Sequence, residues 1–316
     1  MTTPQQPPAP PQHAPQHPQQ PPVGAPAYAQ QHAPQAGYWP GQAPAGGPVG
    51  YVSPIPIRKA TLADALLSEW TKIRSVRSTM WTLGVMVLLV VGIGLLVAVA
   101  YSSTNGSLER TSPLSLGFFG ILLGIVCVIT LGVLTISSEY GTGLIRTTLT
   151  ACPNRGRVLT AKAIVFFLLT FMITLVSTVL VAMADVALLG DRSSTDPTGE
   201  EWLRATVGVS LYVATLGLLA LAVGTLLRHS AGAITVMLGV VLLPLVMAMF
   251  MMGETLEDLR KGLFEYSIPN QMSAFYMSAA DAVTDGPTGW DPLWIMLGVA
   301  AAALAGAYAS LLRRDA

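Results

Sequence analysis

Ionisable side chains inside a membrane are the first candidates for chemistry, and the long apolar stretches of this chain contain almost none. The exception is Asp185, near the end of the third stretch. Asp185 could bind an ion or a cationic substrate. Its nearness to Asp191 and Arg192 favours instead a position among the outer lipid headgroups. The sequence therefore argues against an intramembrane enzyme and an ion-coupled carrier, because such a carrier needs polar sites at mid-membrane.

Motifs of several enzyme classes are absent from the sequence, namely the HExxH zinc motif, the GxSxG nucleophile motif and the GxxxxGK[ST] phosphate loop. Cys127 and Cys152 stand apart, and His13, His17 and His32 are scattered through a low-complexity segment. Metal sites need closely spaced clusters of ligands, so no metal site is expected. We therefore expect that the chain is not an enzyme and binds no cofactor of its own.

The most distinctive polar segment is the loop at residues 137–157, which reads SSEYGTGLIRTTLTACPNRGR. Gly141 and Gly143 permit a sharp turn where the chain leaves the bilayer. Thr142 would cap a short helix that runs to about residue 151 and stops before Pro153. The loop is thus predicted to contain a short helix bracketed by glycines.

This short helix has an apolar side, formed by Leu144, Ile145, Thr148 and Leu149. The basic residues Arg155, Arg157 and Lys162 follow it and would face lipid headgroups. A short, partly apolar helix outside the bilayer indicates a docking surface for another protein. The alternative is an ordinary basic loop, which explains the arginines but not the short helix.

Most of the chain consists of hydrophobic elements, and these must position the polar segments. Of the 316 residues, 52% are hydrophobic and 11% are charged. Soluble domains carry about 25% charged residues, and the mean hydropathy of +0.56 points the same way. The net formal charge of zero argues against a nucleic-acid partner. Six apolar stretches are long enough to cross a bilayer as helices, at residues 80–101, 114–136, 163–189, 205–227, 231–252 and 293–312.

The segment before these stretches begins with a tail at residues 1–56 that holds 16 of the 23 prolines and is rich in Gln. Such a composition cannot bury enough apolar surface to offset chain entropy. We therefore expect a disordered cytoplasmic tail followed by a transmembrane domain at residues 57–316.

Residues 61–76 have the spacing of an amphipathic helix. One face is apolar and contains Leu62, Ala65, Leu66, Trp70, Ile73 and Val76. A basic helix with a Trp directly before a span is expected to lie along the cytoplasmic interface. Glu69, Trp70, Lys72 and Arg74 are its candidate interfacial residues. The alternative is that these residues form the first turns of a long spanning helix.

The orientation follows from the distribution of basic residues. With the N-terminus inside, twelve of the 17 Lys and Arg residues lie on the cytoplasmic side. An even number of spans then places both termini in the cytoplasm. The sequence predicts an all-α polytopic membrane protein with six transmembrane helices preceded by an interfacial amphipathic helix.

Two motifs resemble a known family, the ABC-transporter permeases of the second exporter class. Residues 67–79, LSEWTKIRSVRST, precede a span as in that family. The second motif is SEYGTG at 138–143, with RTTL at 146–149, PNR at 153–155 and AK at 161–162. The resemblance covers residues 60–314 and leaves out the tail. The excess of Arg over Lys and the richness in Ala, Gly, Val and Leu resemble actinobacterial proteins.

The resemblance implies the partners of this chain. The helix at 142–150 would be a coupling helix that docks into a separate ABC ATP-binding subunit, with Glu139, Arg146 and Leu149 as contacts. That subunit would bind ATP and Mg, and a second permease chain, identical or different, would complete a transporter in the plasma membrane. Residues 253–292 would match a partly helical outer segment, and their apolar residues have helical spacing.

Two alternatives remain beside the permease. The chain could be a non-transporting membrane scaffold or regulatory protein, with a tail that recruits partners. A neighbouring gene with a phosphate-loop motif would favour the permease over the scaffold. An ion-coupled carrier would instead transport in vesicles without any ATPase. The nearly charge-free spans suit a lipid-like or amphiphilic cargo.

Reporter fusions after Ala316 and within residues 193–199 test the predicted topology. We expect a cytoplasmic signal at the first site and an outside signal at the second, because the basic residues concentrate on the side of the termini. The measurement is the ratio of cytoplasmic to outside reporter activity in whole cells. A cytoplasmic signal from residues 193–199 would contradict the six-span arrangement.

Overall fold

The computed structural model describes residues 60–104, 112–152, 154–193, 196–277 and 286–313. Within these ranges the chain forms eleven α-helices joined by short connections, with no β-strand. The helices are α1 (Leu62–Ser75), α2 (Arg77–Ser102), α3 (Phe118–Thr142), α4 (Leu144–Ala151), α5 (Arg155–Leu189), α6 (Gly199–Leu203), α7 (Val209–Leu227), α8 (Ser230–Phe250), α9 (Glu257–Glu265), α10 (Ile268–Ser273) and α11 (Asp291–Arg313).

Six helical segments of the described chain are long and apolar enough to cross a membrane. They are Arg77–Ser102, Pro113–Thr142, Arg155–Arg192, Gly199–Leu227, Ser230–Phe250 and Asp291–Arg313. Each coincides with one stretch predicted from the sequence, so the predicted all-α fold with six spanning helices is confirmed. The predicted disordered tail at residues 1–56 lies outside the described residues.

The helix α7 lies at the centre of the bundle and packs against α3, α5, α8 and α11. Its side chains Tyr212, Leu216 and Leu221 are fully buried. The surrounding helices α2, α8 and α11 turn large apolar side chains outward instead, among them Trp81, Leu88, Phe250 and Trp294. In water such a surface would be an aggregation liability, so it is suited to contact with lipid.

The helix α5 is longer than the bilayer is thick. With 35 residues, α5 is about 52 Å long at 1.5 Å per residue, whereas the hydrocarbon core is about 30 Å thick. It must therefore tilt or extend beyond the membrane. A tight turn at Arg228 and His229 joins α7 to α8 as predicted, and α8 continues as one helix through Pro244.

The two ends of the bundle are built differently. At one end lie α1 and α4, and at the other lie α9 and α10. The second end is closed by a ring cluster, because Phe275 lies 5.6 Å from Tyr212 and 6.4 Å from Trp290 between ring centroids. Met272 and Phe275 are almost fully buried. The predicted partly helical segment between the last two spans is thus present as α9 and α10.

A close approach between α2 and α3 depends on a glycine. A Cβ atom at Gly120 would lie 2.4 Å from the backbone oxygen of Val90, a distance that no side chain tolerates. Backbone cannot yield as a flexible side chain can. Packing of α3 on α2 therefore requires glycine at this position.

We predict that Gly120→Ala lowers the melting temperature of the detergent-purified protein. The added methyl group forces α2 and α3 apart, and overpacking of this kind costs about 1–3 kcal/mol. The matched control is Gly92→Ala on α2, where a Cβ atom would meet nothing within 4 Å. Equal melting temperatures for the two variants would contradict the close α2–α3 contact.

Candidate functional site

The helix α1 begins with a reciprocal cap. The backbone nitrogen of Thr61 donates to Asp64 Oδ2 at 2.9 Å, and Thr61 Oγ1 accepts from the backbone nitrogen of Asp64 at 3.3 Å. These bonds satisfy two donors that a helix start otherwise leaves unpaired. The helix occupies the predicted residues and packs against α5.

The side of α1 that packs on the bundle carries the buried residues Glu69 and Ile73. Ile73 belongs to the predicted apolar face, and three other members of that face, Leu62, Trp70 and Val76, are 39%, 43% and 39% exposed. The helix therefore holds the bundle through a side that includes a carboxylate, and it leaves several apolar side chains free to contact lipid.

The junction between α3 and α4 is a single residue, Gly143. Its φ of +74° lies in the left-handed region, and it both ends α3 and starts α4. The predicted cap at Thr142 is wrong, because Thr142 is the last residue of α3 and its Oγ1 donates to the carbonyl oxygen of Ser138 at 2.8 Å. Glycine adopts this conformation without steric cost, which explains the abrupt change of direction.

The short helix α4 presents two different sides. Ile145 is buried at 7% exposure and attaches the helix to the bundle. Leu144 is 50% exposed, Arg146 is exposed and Leu149 is half-buried. Leu144 and Arg146 are two positions apart and point in different directions, so the exposed surface of α4 offers an apolar and a cationic contact to another protein.

Four charged side chains meet beside these elements. Lys162 of α5 donates to Glu69 Oε2 of α1 at 2.7 Å and also pairs with Glu139 Oε1 of α3. Lys72 of α1 pairs with the same oxygen of Glu139. We call Glu69, Lys72, Glu139 and Lys162 the charge cluster. It contains two acids and two bases and ties α1, α3 and α5 together.

The charge cluster is almost dry. The side chain of Lys162 is 0% exposed and that of Glu139 is 1% exposed. Glu139 Oε2 is buried without a hydrogen-bond partner among the described residues. Charges removed from water in this way are tolerated because each has an opposite charge in contact.

Lys72 is the one member of the charge cluster with substantial access to water, at 35% side-chain exposure. The pKa of Lys72 is lowered to about 8, mainly because the ammonium group is partly buried. The repulsion from Lys162 also lowers this pKa, and the attraction of Glu69 offsets only part of that effect. Lys72 is therefore charged below about pH 8 and loses its proton as the pH rises through that value. Its attraction to Glu139 then weakens, while Lys162 still contacts both carboxylates.

A groove opens between α1 and α4 next to the charge cluster. We call it the α1–α4 groove, and it encloses about 430 Å³. Its lining residues come from three helices and include Asp64, Ala65, Ser68, Glu69, Lys72, Thr147, Thr148, Ala151, Cys152, Val158 and Ala161. The groove is thus both polar and apolar, and Glu69 and Lys72 belong to its wall and to the charge cluster.

The structure separates the residues that the sequence analysis grouped as partner contacts. Arg146 and Leu149 lie on α4 and remain available at the surface. Glu139 does not, because it is buried and its Oε1 is bound by two lysines of this chain. Among the interfacial candidates, Trp70 and Arg74 are exposed, whereas Glu69 and Lys72 belong to the charge cluster.

Lys162 is the residue that sequence reasoning missed. It was expected to face headgroups, but it is fully buried. A signal was present in the sequence, because Glu69 and Glu139 are isolated acids in segments predicted to be basic. Carboxylates on the basic side of a membrane protein next to an apolar run indicate a buried partner.

Asp185 also lies inside the protein, which corrects the expected position among headgroups. It is 0% exposed, and neither carboxylate oxygen has a hydrogen-bond partner in the described part of the chain. A Cβ atom at Gly117 would lie 3.9 Å from Asp185 Oδ2 and 4.0 Å from the hydroxyl of Tyr276. Burial raises the pKa of Tyr276, and the nearby charge of Asp185 raises it further.

Six helical segments of the described residues are long and apolar enough to cross a membrane, and large apolar side chains cover the outer surface, which indicates a multi-pass membrane protein. The ABC-2 family transporter protein domain matches residues 65–244. This range covers more than half of the chain and includes the charge cluster, α4 and all residues of the α1–α4 groove from Ala65 onward. The chain belongs to the ABC-2 family of transporter proteins and has the architecture of a membrane permease subunit. No curated protein matches it.

We predict that Lys162→Met strongly destabilises the protein. The change leaves Glu69 and Glu139 buried without their shared cation, and breaking a buried ion pair costs about 3–5 kcal/mol. The measurement is the free energy of unfolding in mixed micelles titrated with SDS.

The matched control for this variant is Lys261→Met. Lys261 pairs with Glu257 at 2.9 Å, but both side chains are about half exposed, so the pair contributes little. Similar losses for the two variants would contradict a dry charge cluster around Lys162.

Proposed function

We propose that the protein is the permease subunit of an ATP-driven exporter in the cell membrane, and that α4 couples it to a separate ATP-binding subunit. Membership of the ABC-2 family supports this proposal, because the permeases of that family generally pair with such a subunit. The direction of transport follows from resemblance to the second exporter class.

The observation that carries the coupling role is the geometry of α4. This eight-residue helix is turned away from α3 by Gly143 and is anchored through Ile145. Its exposed surface offers Leu144 and Arg146, while Thr147 and Thr148 line the α1–α4 groove. An apolar contact and a cation on one short helix fit a partner surface that provides both an apolar pocket and acidic groups.

The chemistry of ATP belongs to the partner in this proposal. The sequence has no phosphate loop, so in this proposal ATP and Mg are held by the ATP-binding subunit and the permease performs no covalent step. Two permease chains, identical or different, enclose the pathway between them. The composition resembles that of actinobacterial proteins, and this resemblance is compatible with such a transporter but does not identify its subunits.

The mechanism is a shift between two states of the transporter. ATP moves the equilibrium because it binds the closed arrangement of the ATP-binding subunits more tightly than the open one. The partner displaces α4, and α4 acts on the third and second spans because it is joined to α3 by one residue and to α5 by a few. The permease converts that displacement into a change of the pathway.

The orientation in this proposal places α1 and α4 in the cytoplasm. Basic residues concentrate at that end, with Lys72, Arg74, Arg146, Arg155 and Arg157 on or near α1 and α4. Anionic lipids of the inner leaflet attract such residues, and the ATP-binding subunit meets α4 from the same compartment. Both termini are then cytoplasmic, and α9 and α10 face outward.

Co-purification tests the coupling role of α4. We predict that Arg146→Ala weakens recovery of the ATP-binding subunit about 30-fold or more, because truncating a buried charge-assisted contact costs about 2–5 kcal/mol. Leu149→Asp should be more damaging, because it puts an unpaired charge into an apolar contact. Mass spectrometry of the purified complex measures the ratio of the two subunits.

The matched control is Leu259→Asp on α9, a 56% exposed leucine at the opposite end of the bundle. It should leave the subunit ratio unchanged. If Arg146→Ala and Leu149→Asp also keep normal ratios and normal ATP hydrolysis, α4 is not the coupling helix. That outcome would favour the alternative of a non-transporting membrane scaffold. Transport by the purified chain alone in vesicles under an ion gradient would identify an ion-coupled carrier.

A further inference from the structure

Lys162 connects elements that are far apart in the chain. Through Glu69 it reaches α1, 93 residues earlier, and through Glu139 it reaches α3, 23 residues earlier. Glu139 lies four residues before Gly143, where α4 begins. One ammonium group on α5 therefore contacts the helix that forms one wall of the α1–α4 groove and the helix that leads into the other wall.

Stability alone does not explain such a cluster. A buried ion pair costs so much desolvation that apolar residues of similar volume often give equal or greater stability. What a buried ion pair does provide is a fixed geometry, because a displaced helix would leave a charge without its partner. An apolar contact permits sliding at much smaller cost.

We propose that Lys162 is a positioning residue that holds α1 and the α3–α4 turn in one register and so shapes the α1–α4 groove. Displacement of α4 then also moves α1, because Glu139 cannot leave Lys162 and Lys72 without exposing buried charge. The two walls of the groove move as a unit. This second consequence rests on the proposed coupling role of α4, whereas the positioning of the groove does not.

The members of the charge cluster differ in whether water can replace a lost partner. Lys162 and Glu139 have no access to water and must keep their partners. Lys72 is partly exposed and can be hydrated if Glu139 is lost. A variant that removes the three buried charges together is therefore a fair test, because it leaves no unpaired charge in the interior.

The experiment measures the width of the α1–α4 groove by cross-linking in native membranes. Ser68→Cys on α1 and Thr147→Cys on α4 place one thiol on each wall, since both residues line the groove and are exposed. Cys127→Ala and Cys152→Ala remove the native thiols. Bifunctional methanethiosulfonates of short and long span then report the preferred separation, with Lys162 unchanged as the reference.

We compare three variants in this background. Glu69→Leu, Glu139→Leu and Lys162→Met together make the charge-free variant, and we expect its ratio of short to long cross-links to change at least threefold. Lys162→Arg keeps the charge, and its guanidinium group can pair with both carboxylates, so we expect a ratio close to the reference. Glu69→Gln removes one ion pair with the smallest change of shape and should give an intermediate ratio.

The melting temperature of each variant separates position from stability. We expect the charge-free variant to melt within a few degrees of the reference while its cross-linking ratio changes. If the charge-free variant does not insert into the membrane, the cross-linking ratios of Glu69→Gln and Lys162→Arg decide whether Lys162 positions the groove. Unchanged ratios in the inserted variants would overturn the positioning role.

The cross-linking experiment uses no ATP-binding subunit, so it is independent of the co-purification experiment. An altered ratio together with normal co-purification of the Arg146→Ala and Leu149→Asp variants would retain the positioning role and reject the coupling role. An unaltered ratio together with lost co-purification would do the reverse.

Discussion

The arrangement of the α1 and α4 end depends on one interaction, the contact of the buried Lys162 ammonium with two carboxylates. An ammonium group removed from water must be neutralised where it stands, so Glu69 and Glu139 must come to it. Each of these carboxylates belongs to a different helix. This requirement fixes α1 against α5 even though α1 leaves Leu62 and Trp70 partly exposed. The interfacial helix is therefore held by charge in a region where apolar contacts alone would allow it to slide.

The remainder of the bundle is organised by a different constraint, the close packing of apolar helices around α7. Small residues allow that packing, as Gly120 does where α3 meets the backbone at Val90. Lipid provides no hydrophobic force between helices, so shape must decide their arrangement. The two constraints act on the same helix, because α3 carries Gly120 near one end and Glu139 near the other. A rigid α3 thus joins the tightly packed part of the bundle to the charge cluster.

In the proposed coupling, the boundary between α3 and α4 is where a partner would act on α3. Gly143 lets the chain change direction within one residue, and α4 emerges with a leucine and an arginine exposed. A surface of this kind is suited to receive a force from another protein, and α3 is suited to transmit it. At the opposite end, Asp185 is buried without a hydrogen-bond partner in the described chain, and burial of a polar group without such a bond costs stability.

The sequence by itself determined the six spans, the amphipathic α1 and the short α4. Length and apolar periodicity are local properties of a segment, and they decide whether it crosses the bilayer or lies along it. It also supplied the motifs that indicate an ABC-2 permease. Only the tertiary structure decided that Glu139, Lys162 and Asp185 are buried inside the protein and do not face a partner or lipid headgroups. These positions depend on how helices far apart in sequence pack together. The acids Glu69 and Glu139 signalled that a buried counter-charge exists, but no local pattern shows which basic residue provides it. For the same reason the sequence did not show that Glu69 of α1 is buried, because a carboxylate belongs on a buried face only when another helix brings its counter-charge.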